Sequence, residues 1–153
     1  FYGKRPESGA AGEDVDLEPV VADESTPQFR DIFISDVVCS RAGRAMLFNG
    51  LPEMNVENVK VSRMRVLAEE GAVINETSGV LLDDVTVFRS EGPALRLNNV
   101  RDAEVRNFLA GGTDGIALMV TGSRNGRITL SSPRIMDSDV HISSRAEGSV
   151  SRE

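Results

Sequence analysis

The chain has 153 residues, 40% of them hydrophobic, one cysteine and a formal net charge of −7. That length fits one domain with a narrow continuous core, and the negative charge points away from a phosphate-binding surface, since nucleic-acid modules carry basic patches. No run of 18 apolar residues is present for a membrane-spanning helix, and a single thiol makes no internal disulfide.

In chain order, residues 1–28 come first. They form an N-terminal segment and an acidic loop rich in Glu, Asp, Gly, Ala and Pro, without a repeat period. Asp14, Asp16, Asp23 and Glu24 within it lack the alternating ligand spacing of a helix-loop calcium site. The sequence opens at Phe1 without a signal peptide, so the expectation is a processed, trimmed or cropped piece of something longer.

From Phe29 one apolar spacing repeats, with steps of three, two, three and two residues. The columns are Phe29, Ile32, Ile34, Val37, Cys39; then Val56, Val59, Val61, Met64, Val66; then Thr77, Val80, Leu82, Val85, Val87. A fourth set is Val100, Ala103, Val105, Phe108, Ala110, and a weaker fifth is Asn125, Ile128, Leu130, Pro133, Ile135. The third column recurs at offsets of 27, 21, 23 and 25 residues. Such periods mean a solenoid, because one unit cannot bury its apolar face without a neighbour.

The two-residue step is strand alternation, and each three-residue step adds one residue at a bend. The second bend is polar every time: Ser35-Asp36, Ser62-Arg63, Asp83-Asp84, Arg106-Asn107 and Ser131-Ser132. A further strand follows in each repeat, with inward pairs Met46/Phe48, Ala72/Ile74, Leu95/Leu97, Leu118/Val120 and Val140/Ile142. After these pairs come Asn49, Asn75, Asn98, Thr121 and Ser143, which stacking would align into a polar ladder. Gly43, Gly71, Gly92 and Gly115 precede most of these strands, where the chain turns tightly.

The spacing therefore predicts an all-β chain: a right-handed parallel β-helix, a single-stranded solenoid of about five coils over 29–143. Residues 144–153 read as a polar C-terminal tail. Without an amphipathic cap before Phe29, the first coil is expected to be an uncapped end.

Few residues suggest chemistry on their own. Asp83-Asp84 is the only adjacent aspartate pair, but it occupies a bend column and reads as a solvated corner. His141 is the single histidine and alternates outward, so no histidine-rich metal site forms. Cys39 occupies an inward column as an inert thiol. Arg63, Arg65, Arg89, Arg96, Arg101 and Arg106 read as solvated surface, and no cofactor is expected. Leu47, Val73 and Met119 share an outward column with Arg96 and His141, which requires either a cover or a different inward frame.

One stretch has a more specific likeness. Thr26-Pro27-Gln28-Phe29-Arg30-Asp31-Ile32, Arg41-Ala42-Gly43-Arg44-Ala45, Asn49-Gly50-Leu51-Pro52-Glu53-Met54 and Val56-Glu57-Asn58-Val59 follow one another. Glu70-Gly71-Ala72, Ile74-Asn75-Glu76, Glu91-Gly92-Pro93-Ala94-Leu95 and Leu97-Asn98-Asn99-Val100 continue it. Together with Phe1-Tyr2-Gly3-Lys4, this resembles the C-terminal coils of family 28 glycoside hydrolases, the polygalacturonase-like enzymes of pectin degradation.

The resemblance covers roughly residues 1–110. It implies inverting hydrolysis of α-galacturonosyl linkages in a pectic polysaccharide, by a secreted or periplasmic enzyme. The family's Asn-Thr-Asp, Gly-Asp-Asp, Gly-His-Gly and Arg-Ile-Lys signatures do not occur in this chain; Arg127-Ile128-Thr129 lacks the lysine. The expectation is therefore no catalytic residue here, with the carboxylates on N-terminal coils missing from this chain. Tyr2, Lys4 and Arg5 are the candidate substrate-binding residues, an aromatic face beside two cations suited to a uronate. A non-catalytic carbohydrate-binding or structural module, and a β-eliminating pectate lyase, are the competing readings. No nucleic-acid or membrane partner is expected.

Overall fold

The computed structural model describes residues 18–112, 115–132 and 139–152. Seven parallel strands build it: β1 (Arg30–Asn49), β2 (Val56–Arg106), β3 (Leu109–Gly112), β4 (Leu118–Thr121), β5 (Ile128–Ser131), β6 (Val140–Ile142) and β7 (Val150–Arg152). No helix occurs among the described residues. The strands stack as a β-solenoid of about five turns, and β2 alone winds through about two of them. It receives β1 on one side and β3, β4 and β5 on the other, and β6 and β7 extend the stack from β4 and β5.

The register follows the apolar columns. Ile32 pairs with Val59, Ile34 with Val61, Val37 with Met64 and Cys39 with Val66; Ala103 pairs with Ile128 and Val105 with Leu130. The inward pairs also align, Met46 with Ala72, Phe48 with Ile74, Leu95 with Leu118 and Leu97 with Val120. One continuous core results, from Ala45 to Ala146. Each fully buried Leu or Ile in it is worth about 1.5–3 kcal/mol of transfer free energy.

In the first four sets the three-residue steps resolve into a left-handed kink at the second inserted residue, at the positions that follow. The first corner has positive φ at Asp31, Asn58, Gly79 and Asp102, and the second at Asp36, Arg63, Asp84 and Asn107. The extra residue thus turns the strand without breaking its pairing. Asp, Asn and Gly dominate because they accept this region most readily. A third corner, not marked by the apolar steps, has Glu76, Asn99 and Gly122 in the same conformation.

The outward column is also in frame: Leu47 stands beside Val73, and Met119 lies between Arg96 and His141. The inward assignment is therefore correct, and Leu47 is exposed. Pro133 and Ile135 of the fifth set lie outside the described residues. The tail expected over 144–153 carries more structure than a polar tail. Val150 pairs with Ile128 in strand β7, and the turn before it places Ala146 in the core. Ser, Arg and Glu around Ala146 and Val150 hid two apolar anchors.

Candidate functional site

Tyr2, Lys4 and Arg5 lie outside the described residues. Asp14 and Asp16 lie outside them too, and the remaining residues weighed for chemistry have structural positions. Asp84 has a φ of 54° at the second corner, and Asp83 Oδ1 accepts a hydrogen bond from Asn107 Nδ2 of the next coil at 3.4 Å. Arg127 pairs with Asp102 at 2.7 Å while Ile128 enters the core. His141 is exposed, and the half-buried Cys39 thiol donates to the Arg41 carbonyl at 3.6 Å.

Polar side chains instead form ladders between coils. Asn75 Nδ2 donates to Asn49 Oδ1 at 2.9 Å, as the alignment of asparagines predicts. Asn58 Nδ2 donates to Asp31 at 2.6 Å. Arg63 forms a two-pronged pair with Asp36, at 2.6 and 2.7 Å, and Arg44 pairs with Glu70.

The Arg63 guanidinium lowers the Asp36 carboxyl from its ordinary 3.8 to about 2. A depressed carboxylate pKa adds stability that is complete above the unfolded value and disappears as pH falls through the folded one. The Asp36 contribution should therefore hold down to about pH 4 and vanish towards pH 2. Carboxyl titration followed by NMR should place the Asp36 midpoint near 2, and in Arg63→Ala it should return towards 3.8.

Two interior arrangements escape the sequence reading. Buried Glu76 accepts from Asn99 Nδ2 at 2.7 Å and from Arg124 at 2.5 Å, and the Arg124 amide donates to Asn99 Oδ1 at 2.9 Å. Three consecutive coils are thereby tied at the third corner. The signal available was position alone, since Glu76 and Asn99 directly follow the ladder residues Asn75 and Asn98.

Arg89 is the second, and it corrects the reading of scattered arginines as solvated. It is 5% exposed and its guanidinium donates to the carbonyls of Gly92, Gly111 and Ile116 at 2.9, 3.0 and 3.2 Å. Arg101 likewise reaches back to Asn55 Oδ1 at 2.5 Å. Among the described residues no group of three His, Cys, Asp or Glu side chains is placed to hold a metal. A shallow depression of about 440 Å³ lies where the register slips between Cys39 and Ala42, lined by Ser40, Arg41, Gly43, Leu67 and Glu69.

No known protein family, curated protein or solved structure matches this chain. Its geometry therefore has to be read by itself. The described carboxylates that bond across coils, those of Asp31, Asp36, Glu70, Glu76, Asp83 and Asp102, are engaged in stacking. What the arrangement leaves unsatisfied is one end of the stack, where Ile32, Ile34, Val37 and Cys39 of β1 stay half-buried.

Proposed function

We propose that this chain is the C-terminal β-helix portion of a polygalacturonase-like glycoside hydrolase acting on pectic polysaccharide outside the cytoplasm. The observation that carries the reading joins stacked parallel coils with a loop that stacking does not demand. Gly50-Leu51-Pro52-Glu53-Met54 closes on itself through reciprocal Leu51 and Met54 backbone bonds of 3.0 and 3.1 Å. Asn55 Nδ2 donates to the Leu51 carbonyl at 3.0 Å, and Gly50 N–H donates to the Asn75 carbonyl at 3.1 Å. This is the Asn-Gly-Leu-Pro-Glu stretch of the family resemblance, built as a separate brace between β1 and β2.

The reaction is inverting. One carboxylic acid protonates the leaving glycosidic oxygen, and a carboxylate activates water on the opposite face of the sugar. Both belong to coils outside this chain, whose own coils extend the stack and whose residues 1–28 supply one rim of the cleft. Tyr2, Lys4 and Arg5 are the side chains proposed to meet a uronate there.

The test is reducing-end release from polygalacturonate. The purified 153-residue chain should be inactive, and the polypeptide extended by its upstream coils should hydrolyse the polymer with inverted anomeric configuration. Turnover by the short chain would refute the placement of the carboxylates. An unsaturated product absorbing in the ultraviolet would identify a lyase, and binding without turnover by the extended polypeptide a carbohydrate-binding module.

A further inference from the structure

We infer that the outer face around Arg96 binds the carboxylate and ring of an acidic sugar. None of the residues assigned so far to substrate belongs to this place. Only the choice of a uronic acid rests on the proposed function; the site itself stands on unpartnered polar atoms.

Arg96 differs from the arginines around it. Arg44, Arg63, Arg106, Arg124 and Arg127 each hold a carboxylate, and Arg89 and Arg101 reach neutral oxygens. Arg41 and Arg65 have no partner among the described residues, but both are exposed. The Arg96 side chain is half-buried and makes no hydrogen bond or ion pair among the described residues. Its Nε is shut off from solvent and donates to nothing, whereas the two terminal amino groups keep solvent contact. A guanidinium held in this way has given up hydration and side-chain freedom without gaining an anion. A carboxylate would take both outer N–H groups in the two-pronged geometry that suits this side chain.

The surroundings fit a sugar better than a bare inorganic anion. Met119 stands beside Arg96 on the next coil, half-buried, and gives an apolar floor. Two residues along the same strands, Asn98 lies beside Thr121. Asn98 Oδ1 is turned in against Gly122, where a Cβ would meet it at 2.5 Å, so its Nδ2 is left outward. Neither that amide group nor the Thr121 hydroxyl has a partner among the described residues. Strand rise separates the two columns by about 6.6 Å and adjacent coils lie about 4.8 Å apart, within reach of one pyranose ring and its carboxylate. The carboxylate goes to Arg96, ring hydroxyls to Asn98 and Thr121, and the C–H face to Met119. A single cationic fork on a chain of net charge −7 also favours a monoanion over a phosphate.

The test is NMR titration of the 153-residue chain with trigalacturonate, following the Arg96 Nε–H and Met119 methyl signals. Both should shift and saturate, and the methyl ester of the same trisaccharide should bind about tenfold more weakly. Arg96→Gln should weaken trigalacturonate binding about tenfold, and Thr121→Val about threefold. Arg65→Gln, at an exposed position paired with Val38, should leave the affinity within about twofold. Arg96→Lys keeps a charge without the fork, so it should retain part of the affinity if Arg96→Gln does not fold.

No shift at Arg96 overturns the inference. So does an equal response to acetate at the same concentration, which marks a simple anion site. An Arg96 Nε–H already protected from exchange and unmoved by the sugar also overturns it, since a segment of the chain itself then holds the guanidinium. Hydrolysis by the extended polypeptide with Arg96 silent sinks this inference alone. Saturable binding at Arg96 by an extended polypeptide that does not hydrolyse the polymer keeps it and sinks the hydrolase reading.

Discussion

Arg89→Met should lower the free energy of unfolding by about 3 kcal/mol, read as a shift in the urea midpoint at unchanged slope. Methionine is of similar length and keeps the apolar stem, so a cavity is not the main effect. The loss lies in three carbonyls, those of Gly92, Gly111 and Ile116, which the guanidinium satisfies together. A buried acceptor stripped of its donor costs about 1–3 kcal/mol, and some of the three would regain water. Removing a buried charge offsets part of the cost; burial already pushes the Arg89 guanidinium below its ordinary value. Arg89→Lys keeps the charge but not the planar fork that spans three oxygens, so it should restore only part of the stability. Arg63→Met is the control, since that ion pair is exposed on both sides and its loss should shift the midpoint far less. Equal effects at Arg89 and Arg63 would show that the three carbonyls do not depend on the guanidinium.

The architecture was legible in the sequence because a solenoid repeats a local rule. Alternation fixes which side chains face inward, and stacking requires Ile34 and Val61, or Val105 and Leu130, to be chemically alike. The first four polar bend pairs located corners whose second residue then proved left-handed. The interior polar contacts were not legible, because a period says nothing about which coil a long side chain reaches. Arg124 finds Glu76 48 residues away, and Arg101 finds Asn55 46 residues away. Among so many outward arginines, Arg89 had no distinguishing neighbour in the sequence. The tail failed for the opposite reason: Ala146 and Val150 are too few to show periodicity, yet suffice to close the end of the stack. The substrate-binding proposal rests on Tyr2, Lys4 and Arg5, outside the described residues, so it remains a matter of chemical type alone.

Gly71→Ala should be strongly damaging for the addition of one methyl group, costing about 3 kcal/mol. Glycine stands here for lack of space rather than for an unusual φ. Gly71 is absent from the left-handed residues, but a Cβ on it would lie 2.1 Å from the Pro93 carbonyl oxygen and 2.5 Å from that of Ala94. Both obstacles are backbone of the next coil, so no rotamer change relieves them and the coils themselves must separate. The neighbouring positions of the same column show the limit: Ala45, Ala94 and Ala117 are buried and none is larger than alanine. Gly43 is the matched control, with nothing within 4 Å of its would-be Cβ. Gly43→Ala should leave the midpoint unchanged or raise it slightly, by restricting the unfolded chain. If both glycine variants unfold alike, the tight approach of the Pro93 carbonyl is not what keeps residue 71 small, and packing in that corner is looser than the column of alanines indicates.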